Sequence, residues 1–360
     1  MTIQVAVSNA YGVALASDRH VYRHGQLLSS GRQTKLTRLR GSVPGAMMSA
    51  GSFSVHGFPI PRLALQLEQA LAASQGEGPD GLAQALLRVL GRPVRYPGHA
   101  DEAPQRDLEA LARAAEIVIG RASAYGDMAV GLEKLLAEIA LVPRCEGSDE
   151  VEERGRSVWR DEASRLAEMT ASAEVAGALR NVPDLLGEAV IGALVHGWSR
   201  QADVNLTAGF CCPETGVPVV VAINIWKGLG DRLLFAPRHD RPYYALHRAG
   251  RSLVITQGSG RANICAMIEG VSANAEADHG HTDRVAMIDR RWQRAHDRIG
   301  VSSPAELVGI ATGLVRGAEV IGYLTGDDEG SVADIDALLI TPQAIASHTL
   351  AGTPDGISPI

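Results

Sequence analysis

The sequence predicts a mixed α+β protein, with strands near both ends of the chain and helices between them. Three observations carry this. Residues 2–18 and 205–226 hold short runs rich in β-branched and small side chains, broken by turn residues. From Pro61 to about residue 201, leucine and alanine recur instead at helical spacing. A last region, 304–341, passes from a helical pattern into a short apolar strand. Strands flanked by helices in both halves imply sheets covered by helical layers. The residue pattern by itself leaves α/β and α+β both open.

The elements follow in order. Residues 2–8 and 12–18 read as a hairpin around Asn9-Ala10-Tyr11-Gly12, and 34–40 with 45–51 as a second strand pair. Leu63, Leu65, Leu67 and Leu71 mark one helix, and Leu82, Leu86, Leu87 and Leu90 another, ended by Gly91 and Pro93. Residues 93–106, rich in Pro, Gly and charge, read as a loop. Two long helical stretches, about 105–142 and 149–201, are separated by Pro143 to Ser148. Leu108, Leu111, Ala115 and Ile119 stripe the first of them, as do Leu132, Leu135, Leu136 and Ile139.

Sheet character returns at Asn205–Cys211 and Val217–Trp226, then near 232–236 and 252–257. Helices are expected at about 260–275, 282–299 and 304–324, the last started by Ser303-Pro304 with Glu306 in its first turn. The whole reads as one domain, 1–360. It carries a helical insertion at about 61–201, with packing as its default role, and a short C-terminal tail at about 342–360.

Composition narrows the function classes. The chain of 360 residues is 46% hydrophobic, enough for a large core, but only 4% aromatic, so the core is built from small aliphatic side chains. A net charge of −7 gives no electrostatic footprint for nucleic acid. The four cysteines show neither metal spacing nor a paired framework, which suits a reduced, cytoplasmic setting. No apolar run approaches the roughly 20 residues of a membrane span, and the first residues alternate like a strand rather than a signal peptide. No cofactor motif and no metal site is expected.

The chemistry concentrates at Thr2, directly behind Met1. Removal of Met1 would place a hydroxyl nucleophile and a free α-amine on one residue. An α-amine, with a reference pKa of about 7.7–8.0, is suited to accept the hydroxyl proton near neutral pH. Downstream stand Gly12-Val13-Ala14-Leu15-Ala16-Ser17-Asp18, then Lys35-Leu36, then Ser49-Ala50-Gly51. Later come Thr256-Gln257-Gly258-Ser259-Gly260, then Asp328-Glu329-Gly330-Ser331 ahead of Ile335 to Thr341. Lys35 is one of only three lysines, with Lys134 and Lys227, in a chain whose basic residues are otherwise arginine. An amine with a tunable pKa at that position is therefore a choice against the background, since guanidinium cannot play the part.

In order and approximate spacing these motifs resemble the proteasome β-type subunits and their bacterial proteasome-like relatives, which are N-terminal nucleophile (Ntn) hydrolases. The resemblance covers roughly 2–60 and 203–341 and fails between them. It departs from the family at His20, at Lys35 (one residue further from Thr2 than usual) and in the longer stretch from Lys35 to Gly51. It implies a four-layer αββα sandwich with an enlarged helical insertion, and a threonine-type peptidase active after loss of Met1. By the same resemblance, Thr2 attacks the carbonyl and Lys35 as an ammonium lowers the pKa of the Thr2 amine. Asp18 keeps Lys35 charged, Gly51 offers a backbone N–H to the oxyanion, and Ser259, Asp328 and Ser331 orient the amine and its water.

The implied partners are a peptide or protein substrate and further copies of the chain in a ring-like homo-oligomer. An unfoldase partner is left open, and neither nucleic acid nor membrane is expected. Two alternatives stand beside the peptidase: an amidase or acylase acting on a small amide, and a catalytically silent subunit using the helical block as an interface. Asp278-His279-Gly280-His281 reads as a loop rather than a metal site, because no third and fourth ligand accompany it. Gly258-Ser259-Gly260 lacks the full spacing of a phosphate cradle.

Overall fold

Period-two alternation sorts the strand residues onto two faces, and the two faces of each sheet meet different neighbours. The computed structural model describes residues 3–19, 21–23, 26–29, 35–52, 54–55, 58–93, 99–169, 173–198, 202–238, 243–258, 264, 292–325 and 334–351. Strands β1 (Ile3–Asn9), β2 (Gly12–Asp18), β3 (Val21–Arg23), β4 (Gln26–Ser29), β5 (Leu36–Leu39), β6 (Gly45–Gly51), β7 (Ser54–Val55) and β8 (Phe58–Pro59) precede the first helices. Strands β9 (Val204–Cys211), β10 (Pro218–Lys227), β11 (Leu233–Pro237), β12 (Tyr243–Ala245) and β13 (Ser252–Gly258) follow the central helical region. The closing pair is β14 (Ile335–Ile340) and β15 (Ile345–Leu350).

One sheet has the order β13-β1-β2-β14-β15. The second has the order β11-β10-β9-β6-β5, with β12 also on β10. Every strand pairing among the described residues is antiparallel, which settles the class as α+β.

Ala6, Val13, Leu15, Ile255, Leu338 and Ile340 of the first sheet pack against Leu36, Ala46, Met48, Cys211, Val220 and Ala222 of the second. The alternate residues of the first sheet, Ile3, Val5, Val7, Ala14, Ala16 and Ala337, face outward. They bury against Leu307, Ala311, Val315 and Ala318 of helix Pro304–Thr325. The outward residues of the second sheet, among them Met47, Leu206, Ala208, Phe210 and Val221, are covered by two helices. These are α1 (Ile60–Ala73) and α2 (Gly78–Leu90), which contribute Leu63, Leu67, Leu71, Leu82 and Leu86. Two faces per strand thus produce three apolar interfaces from one alternating pattern.

The remaining helices build a core of their own. They are α3 (His99–Ala122), α4 (Met128–Ala140), α5 (Ser148–Asp161), α6 (Ala163–Met169), α7 (Ala173–Asn181) and α8 (Pro183–Val195). α8 is apolar around most of its circumference and fully buries Leu186, Ala189 and Val190, so it forms the centre of this bundle. Trp226, Leu229 and Leu234 join the bundle core from the sheet side. Gly187 permits a close approach here: a Cβ on it would lie 2.5 Å from Trp159 Nε1. The helical block from 61 onward therefore serves two purposes, with α1 and α2 covering a sheet and α3 to α8 forming a separate bundle. Helix Pro304–Thr325 is α9. Its start carries the expected reciprocal cap: the Ser303 N–H donates to Glu306 Oε2 at 2.7 Å and the Glu306 N–H to Ser303 Oγ at 3.3 Å.

Three expectations are corrected. Residues 99–106, read as loop, form the start of α3 with Pro104 inside it. Their polar composition is compatible with a helix and does not by itself mark a turn. The stretch 105–142 is not one helix, because Gly126 (φ 81°) breaks it and Asp127 caps α4 by accepting from the Val130 N–H at 3.0 Å. Within the expected tail, Ile345–Leu350 pairs with β14 as an edge strand. Its side chains are mostly exposed, so backbone pairing rather than an apolar pattern defines it. The expected helix at 260–275 lies almost wholly outside the described residues, whereas 292–301 is helical.

The bundle is tied to the sheet by Asp107, which is 2% exposed. It accepts from Arg154 Nε and, at 2.7 Å, from the Gly230 N–H in the β10–β11 turn. Asp107→Ala leaves that N–H without its acceptor. The expected cost is about 1.5–3 kcal/mol, towards the lower figure because Arg154 is 42% exposed and can be hydrated. Chemical denaturation of the purified variant measures it, and an unchanged midpoint would remove Asp107 from the account.

Candidate active site

The strand registers bring one end of each sheet together. In the first sheet, Ile3 pairs with Gly258 and Asp18 with Ile335, so the start of β1, the end of β2, the end of β13 and the start of β14 lie side by side. In the second sheet, the end of β6 is Gly51, opposite Val204, and Lys35 directly precedes β5. Gln4 Nε2 donates to Ser49 O at 2.9 Å, joining the two ends across the layers.

At this end Asp18 is 1% and Lys35 8% exposed. Asp18 Oδ1 accepts from Lys35 Nζ at 2.7 Å and from the Ile3 N–H at 3.1 Å. One carboxylate oxygen thus anchors both a buried ammonium and the backbone at the residue that follows Thr2. Burial pushes Lys35 below the usual lysine pKa, and this outweighs the opposing pull of Asp18 and the more modest one of Glu319 on α9. Lys35 Nζ donates to a buried carboxylate.

Gly51 adopts φ 103°, a conformation that side chains rarely accept, and a Cβ there would stand 2.4 Å from Asp203 O. The next residue closes the contact, the Ser52 N–H donating to Asp203 O at 2.8 Å. Glycine is therefore required at the tip of β6 on both steric and conformational grounds.

Of the expected site residues, the structure brings Asp18 and Lys35 into direct contact and puts Gly51 at the same end of the layers. Thr2, Ser259, Asp328 and Ser331 lie outside the described residues, as do His20 and Asp278 to His281. The described residues adjacent to Thr2 and Ser259, Ile3 and Gly258, pair with each other at this end.

Sequence reasoning missed two features. Arg19 donates to Asp336 and its N–H to Asp334 O at 3.1 Å, fastening the end of β2 to the start of β14. The second is a group of wholly buried polar side chains, Gln4, Ser17, Thr207 and Gln257, between the sheets. Its signal was present, because Gln4 shares the parity of Ala6 and Gln257 that of Ile255, both interlayer residues.

Among the described residues no cluster of three or more His, Cys, Asp or Glu could hold a metal ion. None of their helices is long and apolar enough to cross a membrane. Compared with known proteins, the chain matches no family model, and no curated protein sequence matches it significantly.

Proposed function

We propose that the chain is a threonine-type Ntn amide hydrolase acting on peptide bonds. The observation that carries this reading is the shared oxygen of Asp18, which holds the buried Lys35 ammonium and the Ile3 N–H together, one residue after Thr2. Two antiparallel sheets enclosed by α1, α2 and α9 support the four-layer αββα arrangement of that superfamily. α3 to α8 are the enlargement. Ring-like assembly of several copies is part of the same reading.

In this mechanism the Thr2 hydroxyl attacks the scissile carbonyl and its proton passes to the Thr2 α-amine. The carbonyl oxygen gains the negative charge and is stabilised by the Gly51 N–H, a kind of donor worth about 3–4 kcal/mol. Collapse of the tetrahedral intermediate expels the amine product, which leaves with the proton taken from Thr2. Water then hydrolyses the Thr2 ester by the reverse sequence, releasing the acid and regenerating the hydroxyl. Lys35 stays protonated throughout. Its positive charge keeps the α-amine largely neutral and able to accept the proton, at a cost that a pair about 4 Å apart sets at roughly 4 kcal/mol for an effective dielectric near 20.

The reading requires a free amine on Thr2, and so hydrolytic removal of Met1. Incubation with a peptide epoxyketone or a β-lactone, followed by intact-mass measurement and peptide mapping, tests both points. The expected result is a mass lacking Met1 and one adduct, on Thr2. Full retention of Met1 together with undiminished peptide hydrolysis would refute the mechanism.

A further inference from the structure

The proposed site is divided between two sheets. Asp18 and the start of β1 belong to one, Gly51 and Lys35 to the other. Most of the interface between the sheets is aliphatic, formed by residues such as Ala6, Leu15, Met48 and Ala222. Aliphatic packing is non-directional. Something directional must set the sheet-to-sheet position to the accuracy that an oxyanion donor needs.

Four hydrogen bonds at this end cross the layers. Gln4 Nε2 donates to Ser49 O at 2.9 Å. Gln257 Nε2 donates to Met48 O at 3.4 Å, while its Oε1 accepts from Thr207 Oγ1 at 2.9 Å and from Arg238 Nη1 at 3.1 Å. Within the first sheet, Gln257 Nε2 also donates to Gln4 Oε1, and Gln4 Nε2 to Ser17 Oγ at 3.2 Å. Each amide makes two donor bonds, Gln257 Oε1 accepts two and Gln4 Oε1 accepts one. Turning Gln257 over would direct its NH2 at the Arg238 cation, so the network has one orientation. Gln4 follows Ile3 on β1, and Ser49 is two residues before Gly51 on β6. The chain of bonds therefore spans from the nucleophile strand to the strand that carries the oxyanion donor. At the opposite end of the interface the corresponding link is weak, a thiol contact from Cys211 Sγ to Ile340 O at 3.7 Å.

We infer that Gln4 and Gln257 are positioning residues, whose interlayer hydrogen bonds fix the Gly51 N–H relative to the start of β1. The catalytic part of this inference rests on the proposed function, but the structural part does not. A slip of about 1 Å between reacting groups can cost on the order of a hundredfold in rate, so a small displacement of β6 is enough to be seen.

The test uses the full chain as wild type, Gln257→Leu and, in case that variant does not fold, Thr207→Val, which removes a single hydroxyl. Two measurements are compared. Amide hydrogen exchange followed by mass spectrometry is expected to accelerate at least about tenfold over residues 47–52, with the α3 to α8 bundle unchanged. Peptide hydrolysis is expected to lose about tenfold to a hundredfold in kcat at an unaltered KM. The pH profile should not move, because the Lys35–Asp18 pair is untouched.

Unaltered exchange at 47–52 in both variants would overturn the inference whatever the activity. So would accelerated exchange with wild-type kcat, since the linkage would then not position the donor. If the wild type itself shows no Thr2-dependent turnover, the proposed function fails, and the exchange result still decides the linkage alone.

Discussion

Thr2→Ala is expected to abolish peptide hydrolysis, a loss on the order of 10⁴-fold or more, while leaving the folded protein intact. The size follows from the chemistry. If Thr2 is the nucleophile as proposed, deleting it removes the covalent route altogether and leaves only the residual catalysis of the oxyanion donor and substrate binding. The folded state is preserved because the Ile3 N–H bond to Asp18 and the pairing of Ile3 with Gly258 do not involve the Thr2 side chain. Thr2→Ser keeps both a hydroxyl and an amine and should retain a measurable rate. Steady-state hydrolysis of a fluorogenic peptide, with circular dichroism and thermal melting on the same samples, checks both halves. Wild-type turnover in Thr2→Ala would sink the Ntn reading outright.

How much of this could be read from the chain depended on whether the determining contacts are local. The hairpin 2–18 was legible because its turn and its alternating strands are contiguous, and β9 with β10 for the same reason. Asp18 and Lys35, 17 residues apart, were expected as a pair and stand 2.7 Å apart. The Gln4–Gln257 bond joins residues 253 apart in sequence, and it depends on β13 lying beside β1, which no local pattern announces. Parity with Ala6 places Gln4 on the interlayer face, but its partner is fixed only once the neighbouring strands are known. β15 escaped for a different reason: an edge strand with exposed side chains is held by its backbone, and backbone pairing leaves no mark on composition. The first turns of α3 were hidden by a polar run and by Pro104, a residue that usually kinks or ends a helix interior.

Lys35→Met is expected to destabilise the fold by about 3–5 kcal/mol and to remove activity, because it leaves the Asp18 carboxylate, 1% exposed, without its cation. Burial lowers the Lys35 pKa by more than Asp18 raises it, and apolar residues of similar volume often replace a buried ion pair at little cost. Replacing both partners should then behave differently from replacing one. Lys35→Met with Asp18→Leu is expected to regain part of the lost stability, short of wild type because the Ile3 N–H loses its acceptor, and none of the activity. Lys35→Arg keeps a charge but not a compact ammonium, and should lose about a hundredfold in rate. The pH dependence has a definite sign. Because the folded-state pKa of Lys35 lies below its unfolded value, the folded protein releases that proton first, and stability rises with pH through the window beneath the ordinary lysine value of 10.5. Urea denaturation across that window should show the rise in wild type and a flatter profile in Lys35→Met. A double variant as unstable as Lys35→Met, or one with wild-type turnover, would refute the assignment.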